Sequence, residues 1–237
     1  MKSSFICLLC YNISDNLELF LSKLTDNSIA SIIICDSCTV DKDFELKDKG
    51  FINLTHGAHI KKPSAWDKAF YHIIENNLTS QYDYFFFIED DVYSKDYTSL
   101  ISFIKTCDTI DSDFISKKIR PQTHYPSWPK WKDAYVTNLK DPRQSFNPLC
   151  RLSKNLIHYI VEYKNTNQTF NFHEIIFASL CVENNLTYTS YIENTDLKQY
   201  IGQMVFKPIF THDTIKNDLI HHPVKKNNKR EVFSPEG

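Results

Sequence analysis

Glycine is nearly absent from this chain: four residues in 237. That excludes a Gly-rich phosphate loop, and neither GxGxxG nor GxxxxGK[ST] occurs. A phosphate-bearing ligand would have to be held by side chains and a metal ion rather than by closely approaching backbone amides. Long apolar runs are missing too. The first, Phe5 to Tyr11, is too short for the core of a signal peptide. No run approaches the roughly 18 apolar residues that span a bilayer. The expectation is a soluble cytoplasmic protein with no transmembrane segment. Nor is there an excess of one charge. The formal net charge is −2, and only Lys225-Lys226 to Lys229-Arg230 is locally basic. No nucleic-acid partner is expected.

Seven cysteines include two CxxC pairs, Cys7/Cys10 and Cys35/Cys38. The spacing is that of a zinc knuckle, but the context is wrong. FICLLC and SIIIC read as buried strands, in which successive side chains alternate between faces. Cys7 and Cys10 would then point to opposite sides. Reduced core thiols are the expectation.

What the chain does have is YDYFFFIEDDVY, Tyr82 to Tyr93. Phe85-Phe86-Phe87-Ile88 reads as a buried strand and runs straight into Glu89, Asp90 and Asp91. In open α/β sheets ligands bind at the carboxyl ends of strands. Three adjacent carboxylates repel one another unless a cation or ligand donors neutralise them. An acidic turn after a strand is the plain alternative.

The remaining pattern is strand, helix, strand, strand, helix, strand. Phe5–Cys10, Ser31–Cys35, Phe51–Leu54 and Tyr82–Ile88 are the strands. Helical spacing runs from Asn16 to Leu24, and from a Ser64 cap through Trp66, Phe70 and Ile73. Further helices are expected at Tyr97–Cys107, Ser153–Glu162 and His173–Glu183, with short strands at Asp113–Ser116 and Tyr188–Ile192. Pro121 to Pro148 and Ile201 to His222 read as irregular. The fold class is α/β, with a mixed, mostly parallel sheet flanked by helices. Residues 1–225 form one domain, with a nucleotide-binding half (1–93), an acceptor-side half (94–225) and a tail (226–237).

The element order, IIICDS after strand two and IEDD after strand four resemble the GT-A fold, Rossmann-like, of nucleotide-sugar glycosyltransferases. IEDDVYSKDYTSLISFI is locally similar to the EDD region of the N-acetylglucosaminyltransferases that act on N-glycans. The resemblance implies a DxD-type motif holding manganese or magnesium against the diphosphate of a UDP- or GDP-sugar. It implies Asp91 as metal ligand, with Glu89 and Asp90 near ribose and sugar. In that family a carboxyl-terminal histidine often completes the metal shell. His222 is favoured over His221, because Pro223 restricts it to extended backbone. Lys225 would meet a phosphate as a point charge.

The same resemblance places Asp36 at the base or ribose, Tyr11 and Asn12 at the nucleoside pocket, and Lys68 and Asp67 near the diphosphate. Trp66, Phe70 and Ile73 read as core. Asn147 and Arg151 are candidate contacts to donor sugar or acceptor. Trp128, Trp131, Tyr125 and Tyr135 offer aromatic faces to a sugar ring or pack their loop onto the domain. For an inverting transfer to a glycan or other hydroxyl acceptor, Glu174 is the candidate base at a helix start, with Glu183 second. Glu174 at that position also complements the helix dipole. Rival functions are a non-catalytic sugar-nucleotide or carbohydrate binder, a sugar nucleotidyltransferase and a metal-dependent phosphodiesterase.

Overall fold

The computed structural model describes residues 3–36, 63–131, 139–167 and 172–225. The expected strand at Phe51–Leu54, Cys38, Tyr135 and the tail from residue 226 lie outside the described residues.

The first half alternates strand and helix: β1 (Ser4–Cys10), α1 (Asp15–Asp26), β2 (Ala30–Cys35), α2 (Ala65–Glu75) and β3 (Tyr84–Glu89). The second half begins with α3 (Thr98–Cys107), β4 (Phe114–Ser116), β5 (Arg120–Pro121), β6 (Arg143–Gln144) and β7 (Leu149–Ser153). It continues with α4 (Lys154–Asn167), α5 (His173–Glu183), β8 (Tyr188–Ser190) and α6 (Thr195–Lys198), then β9 (Ile201–Met204), β10 (Phe210–Thr211), β11 (Ile220–His222) and β12 (Val224–Lys225).

Six strands form one sheet in the order β2-β1-β3-β7-β4-β8. Pairs β1/β2, β1/β3 and β4/β8 are parallel, while β7 runs antiparallel to both β3 and β4. The expected mixed, mostly parallel α/β sheet is observed.

Period-two alternation splits the core into two layers. Phe5, Cys7, Phe85 and Phe87 face a cluster with Trp66 and Phe70 of α2, Leu156 and Ile160 of α4, and Phe177 of α5. Ile6, Leu8, Cys10, Phe86 and Ile88 face Leu17 and Phe20 of α1 and Leu100 and Phe103 of α3. Cys7 and Cys10 thus lie on opposite faces, and the described cysteines are free thiols. A strand buried on both sides has no polar position until it leaves the sheet. This is why Phe85-Phe86-Phe87-Ile88 ends abruptly in carboxylates.

The helix starts are built locally. Ser14 caps α1 by accepting from Leu17 N–H at 3.3 Å, and Asp15 and Glu18 add negative charge to its first turn. Ser64 and Asp67 form a capping box on α2. Asp67 is therefore occupied at the helix start, with 0% of its surface exposed, and does not face a diphosphate.

Candidate metal and nucleotide site

Two chain segments meet at the carboxyl end of β3. The first is Glu89-Asp90-Asp91 itself. The second is the stretch from β11 to β12, where His221 pairs with Tyr93 through both backbone bonds and Val224 N–H donates to Asp91 O. These bonds deliver His222 and Lys225 onto the acidic turn. Glu89, Asp91 and His222 each offer one ligand atom, and the three atoms lie within 4.8 Å of one another. Among the described residues no other His/Cys/Asp/Glu group gathers so tightly.

The orientation of His222 is fixed from behind. Its Nδ1 lies 3.0 Å from the Val205 carbonyl, an acceptor, so Nδ1 carries the proton. Nε2 then faces Asp91 Oδ1 at 3.1 Å and Glu89 Oε2 at 3.9 Å. Asp91 Oδ1 is buried and has no donor aligned on it. Nε2 either holds a second proton or offers a lone pair beside two carboxylate oxygens. A shared cation satisfies all three groups, and an imidazole whose other nitrogen is held by a carbonyl is the usual arrangement of a metal-bound histidine.

His221 is committed elsewhere. Its Nε2 pairs with Asn217 Oδ1 at 3.0 Å, and its Nδ1 accepts from Gln203 N–H at 3.3 Å. The ring lies so close over Gly202 that a Cβ there would sit 2.4 Å from it.

Charge in the cluster is uneven. Burial and the neighbouring Asp91 push Glu89 up to about 7. Burial and Asp91 likewise raise Asp90 to about 6, with Asp36 near enough to add to the effect. Asp91 goes the other way. Burial opposes its ionisation, but His222 and Lys225, whose Nζ lies 2.9 Å from Oδ2, hold it at about 2. A site with one secure carboxylate and two proton-retaining ones suits exchange of protons for a cation.

A cleft of about 190 Å³ opens beside the cluster, between Ser14–Asn16 of α1, Asp90, Asp91, Tyr93, His212 and Lys225. The His212 ring stacks on Tyr93 at 4.4 Å.

The other sequence-derived candidates fall in three places. Asp36 accepts from Ala65 N–H at the start of α2, and Lys68 Nζ reaches the Asp36 carbonyl at 2.7 Å. Together they clasp the end of β2 to α2. Tyr11 and Asn12 are exposed just past β1. Asn147 is brought to the site by topology. Because β7 is antiparallel to β3, Leu149 pairs with Ile88, and Glu89 N–H donates to Pro148 O at 2.8 Å. Asn147 Nδ2 donates to the His173 carbonyl at 3.3 Å, while its Oδ1 is buried without a hydrogen-bond partner. Glu174 opens α5, where burial and the charge of Glu89 raise its carboxyl to about 8.

Arg151 is a correction. It is 0% exposed, and its guanidinium donates to the carbonyls of Cys107, Ile110 (2.9 Å) and Ser112 (2.6 Å). It also lies 3.7 Å over the Tyr84 ring. A cation at the carboxyl end of α3 satisfies carbonyls that the helix leaves open. Arg151 holds α3 to the sheet and has no exposed surface to offer a ligand. Two of the loop aromatics also pack inward: Trp131 Nε1 donates to the backbone carbonyl of Tyr125 at 2.6 Å, and Trp128 packs edge-on against Trp131 at 5.1 Å, while the Tyr125 ring is exposed.

Sequence reasoning paired Asp91 with His222 but set Glu89 near ribose and sugar, so it missed Glu89 as the third member of the cluster, and it missed the polar contact of Trp66. The Trp66 indole is 2% exposed, yet its N–H donates to Glu89 Oε1 at 3.1 Å. The available signal was chemical, since a buried tryptophan N–H needs an acceptor.

No protein-family model matches the chain, and no curated protein matches it by sequence. Among solved structures, mouse xyloside xylosyltransferase 1 in its apo form is similar at a TM-score of 0.39 and 8% identity. That overlap covers 80% of this chain and 84% of the other. It is too loose to bear on activity. No helix among the described residues is long and apolar enough to cross a membrane.

Proposed function

We propose that this chain is a divalent-metal-dependent glycosyltransferase that moves a sugar from a UDP- or GDP-sugar to a hydroxyl acceptor such as a glycan. The observation that carries this reading is the Glu89–Asp91–His222 cluster at the carboxyl end of a central strand, with a buried Asp91 oxygen 3.1 Å from an aimed imidazole nitrogen. Such a mixed carboxylate–imidazole set suits manganese, and magnesium second. The bound ion would supply Lewis-acid stabilisation of the departing nucleoside diphosphate.

The protein's own groups account for the rest. Lys225 offers a positive charge at the mouth of the cleft. Asp36, Tyr11 and Asn12 follow β1 and β2, where base and ribose would lie. Lys68 keeps that edge in register with α2. Asp90, which lines the cleft beside the acidic turn, is placed for sugar hydroxyls. Asn147, buried beside the end of β3 with an acceptor oxygen left over, is the candidate contact to donor sugar or acceptor on the β7 side. Glu174 is the base for an inverting transfer, taking the acceptor hydroxyl's proton once its own has left.

A binder on the same fold shares every feature except turnover. Calorimetry with UDP and GDP, with manganese and with EDTA, tests the metal role, and equal affinity in both would refute it. Release of sugar from a panel of UDP- and GDP-sugars separates the enzyme from the binder.

A further inference from the structure

The two oxygens of Glu89 face different parts of the fold, and one of them is held. Oε2 is the atom turned towards His222, 3.9 Å from Nε2. Oε1 takes the Trp66 indole N–H at 3.1 Å. The indole cannot turn to release it. One face lies on the His173 ring at 4.1 Å and 14°, and the same ring system stacks with Phe87 at 5.2 Å and 15°. Phe177 closes a third side at 5.7 Å. Position 66 is thus a rigid donor, buried in the layer between α2 and α5, with its one polar atom at the edge of the acidic cluster.

We propose that Trp66 is a positioning residue for this site. It fixes one oxygen of Glu89 so that the other points at His222 and Asp91, and through the His173 stack it ties that carboxylate to the start of α5, where Glu174 sits. This rests on the metal-centre reading above and deepens it. A carboxylate ligand left free to rotate must be ordered each time a cation binds. One anchored by an N–H presents its free oxygen in place, and such supporting hydrogen bonds govern metal affinity strongly. The N–H also favours the ionised carboxylate that a cation needs.

Tryptophan, not simply an aromatic of similar size, is what the geometry requires. Phenylalanine keeps an aromatic ring in the layer but loses the donor together with the second ring of the indole, which is why a variant that loosens the packing alone is needed beside it. The test uses manganese alone, titrated into the full chain, with free aqueous Mn²⁺ followed by electron paramagnetic resonance. Trp66→Phe should weaken manganese binding by about 10–100-fold, the usual effect of deleting a supporting hydrogen bond behind a ligand. Phe177→Leu loosens the same aromatic layer but leaves the N–H in place, and should change affinity by less than about threefold, as for a group that shares packing but not the bond.

If Trp66→Phe binds as the wild type does, or if Phe177→Leu weakens binding equally, Trp66 acts only as core and the proposal is overturned. Should Trp66→Phe fail to fold, benzothienylalanine introduced at position 66 keeps the ring shape and replaces the N–H with sulfur. The same weakening is expected, and unchanged affinity overturns the proposal. A wild-type chain that binds no manganese refutes the metal centre itself, and with it the role of Trp66. That result differs from failure of Trp66 alone, in which the wild type still binds.

Discussion

Glu174→Gln is the most informative single substitution, because its effect on stability can be worked out separately from its effect on turnover. Burial at the start of α5, with Glu89 nearby, raises the Glu174 carboxyl from 4.5 to about 8. Between those values the folded chain holds a proton that the unfolded chain has lost. The folded state binds more protons there, so this group's contribution to stability is intact below about pH 4.5 and declines as pH rises towards 8. One proton corresponds to about 1.4 kcal/mol per pH unit. From pH 4.5 to 7 that amounts to about 3 kcal/mol as an upper limit, less whatever water around a partly buried carboxyl recovers. Glutamine resembles the protonated acid in shape and cannot ionise, so the variant should lack this part of the slope. Glu89 and Asp90 contribute slopes of the same sign in both proteins, so the difference between wild type and variant isolates Glu174. Urea unfolding of metal-free protein at half-unit steps from pH 5 to 8 measures it. The two stability curves should diverge as pH rises, with Glu174→Gln the more stable near pH 8. Parallel curves would refute the environment assigned to Glu174. Turnover should fall by about 10²–10⁴-fold, the range for loss of a general base, with donor affinity nearly unchanged. Normal turnover, or a product that retains the donor's anomeric configuration, would remove Glu174 as the base.

Manganese should stabilise the chain more at pH 8 than at pH 5.5, because the cation must displace the proton that Glu89 keeps up to about 7; a melting-temperature gain independent of pH would argue against Glu89 as a ligand. Asp91→Ala should abolish metal-dependent nucleotide binding, read by calorimetry, and shift the Glu89 titration downwards in carboxyl NMR spectra, since Asp91 is the largest charge raising it. His222→Ala should weaken that binding by more than His221→Ala, whose ring serves Asn217 and Gln203 instead. Arg151→Met leaves three buried carbonyls without their donor and should cost at least about 3 kcal/mol of stability in urea unfolding; a near-neutral result would reopen Arg151 as a site residue.

The two-faced β3 strand was legible because its chemistry is local. Four apolar residues in a row, aromatic and β-branched and too few for a helix, fit a strand covered on both faces, and the carboxylates mark where cover ends. Helical spacing marked α1 and α2, the second with its Ser64 cap, for the same reason, and strand alternation separated Cys7 from Cys10. The strands between Ile201 and Lys225 were not legible. At two to four residues each they carry no period, and they exist because partners hold them: β9 for β11, β10 for β12, and Tyr93 for His221. The direction of β7 was equally silent, since an antiparallel strand buried on both faces reads like a parallel one. Yet that direction is what carries Asn147 to Glu89.

Sequence by itself therefore determined the α/β class, the acidic turn at the end of β3 and the pairing of that turn with His222 as an expectation. Tertiary structure decided which oxygen faces which nitrogen, made Arg151 a support for α3, and gave Trp66 an acceptor. The physical division is one of range. Burial pattern and capping act within a few residues and are written along the chain. Ligand geometry, a buried cation's partners and carboxyl shifts arise between groups such as Glu89 and His222, more than a hundred residues apart, and exist only once the sheet has brought them together.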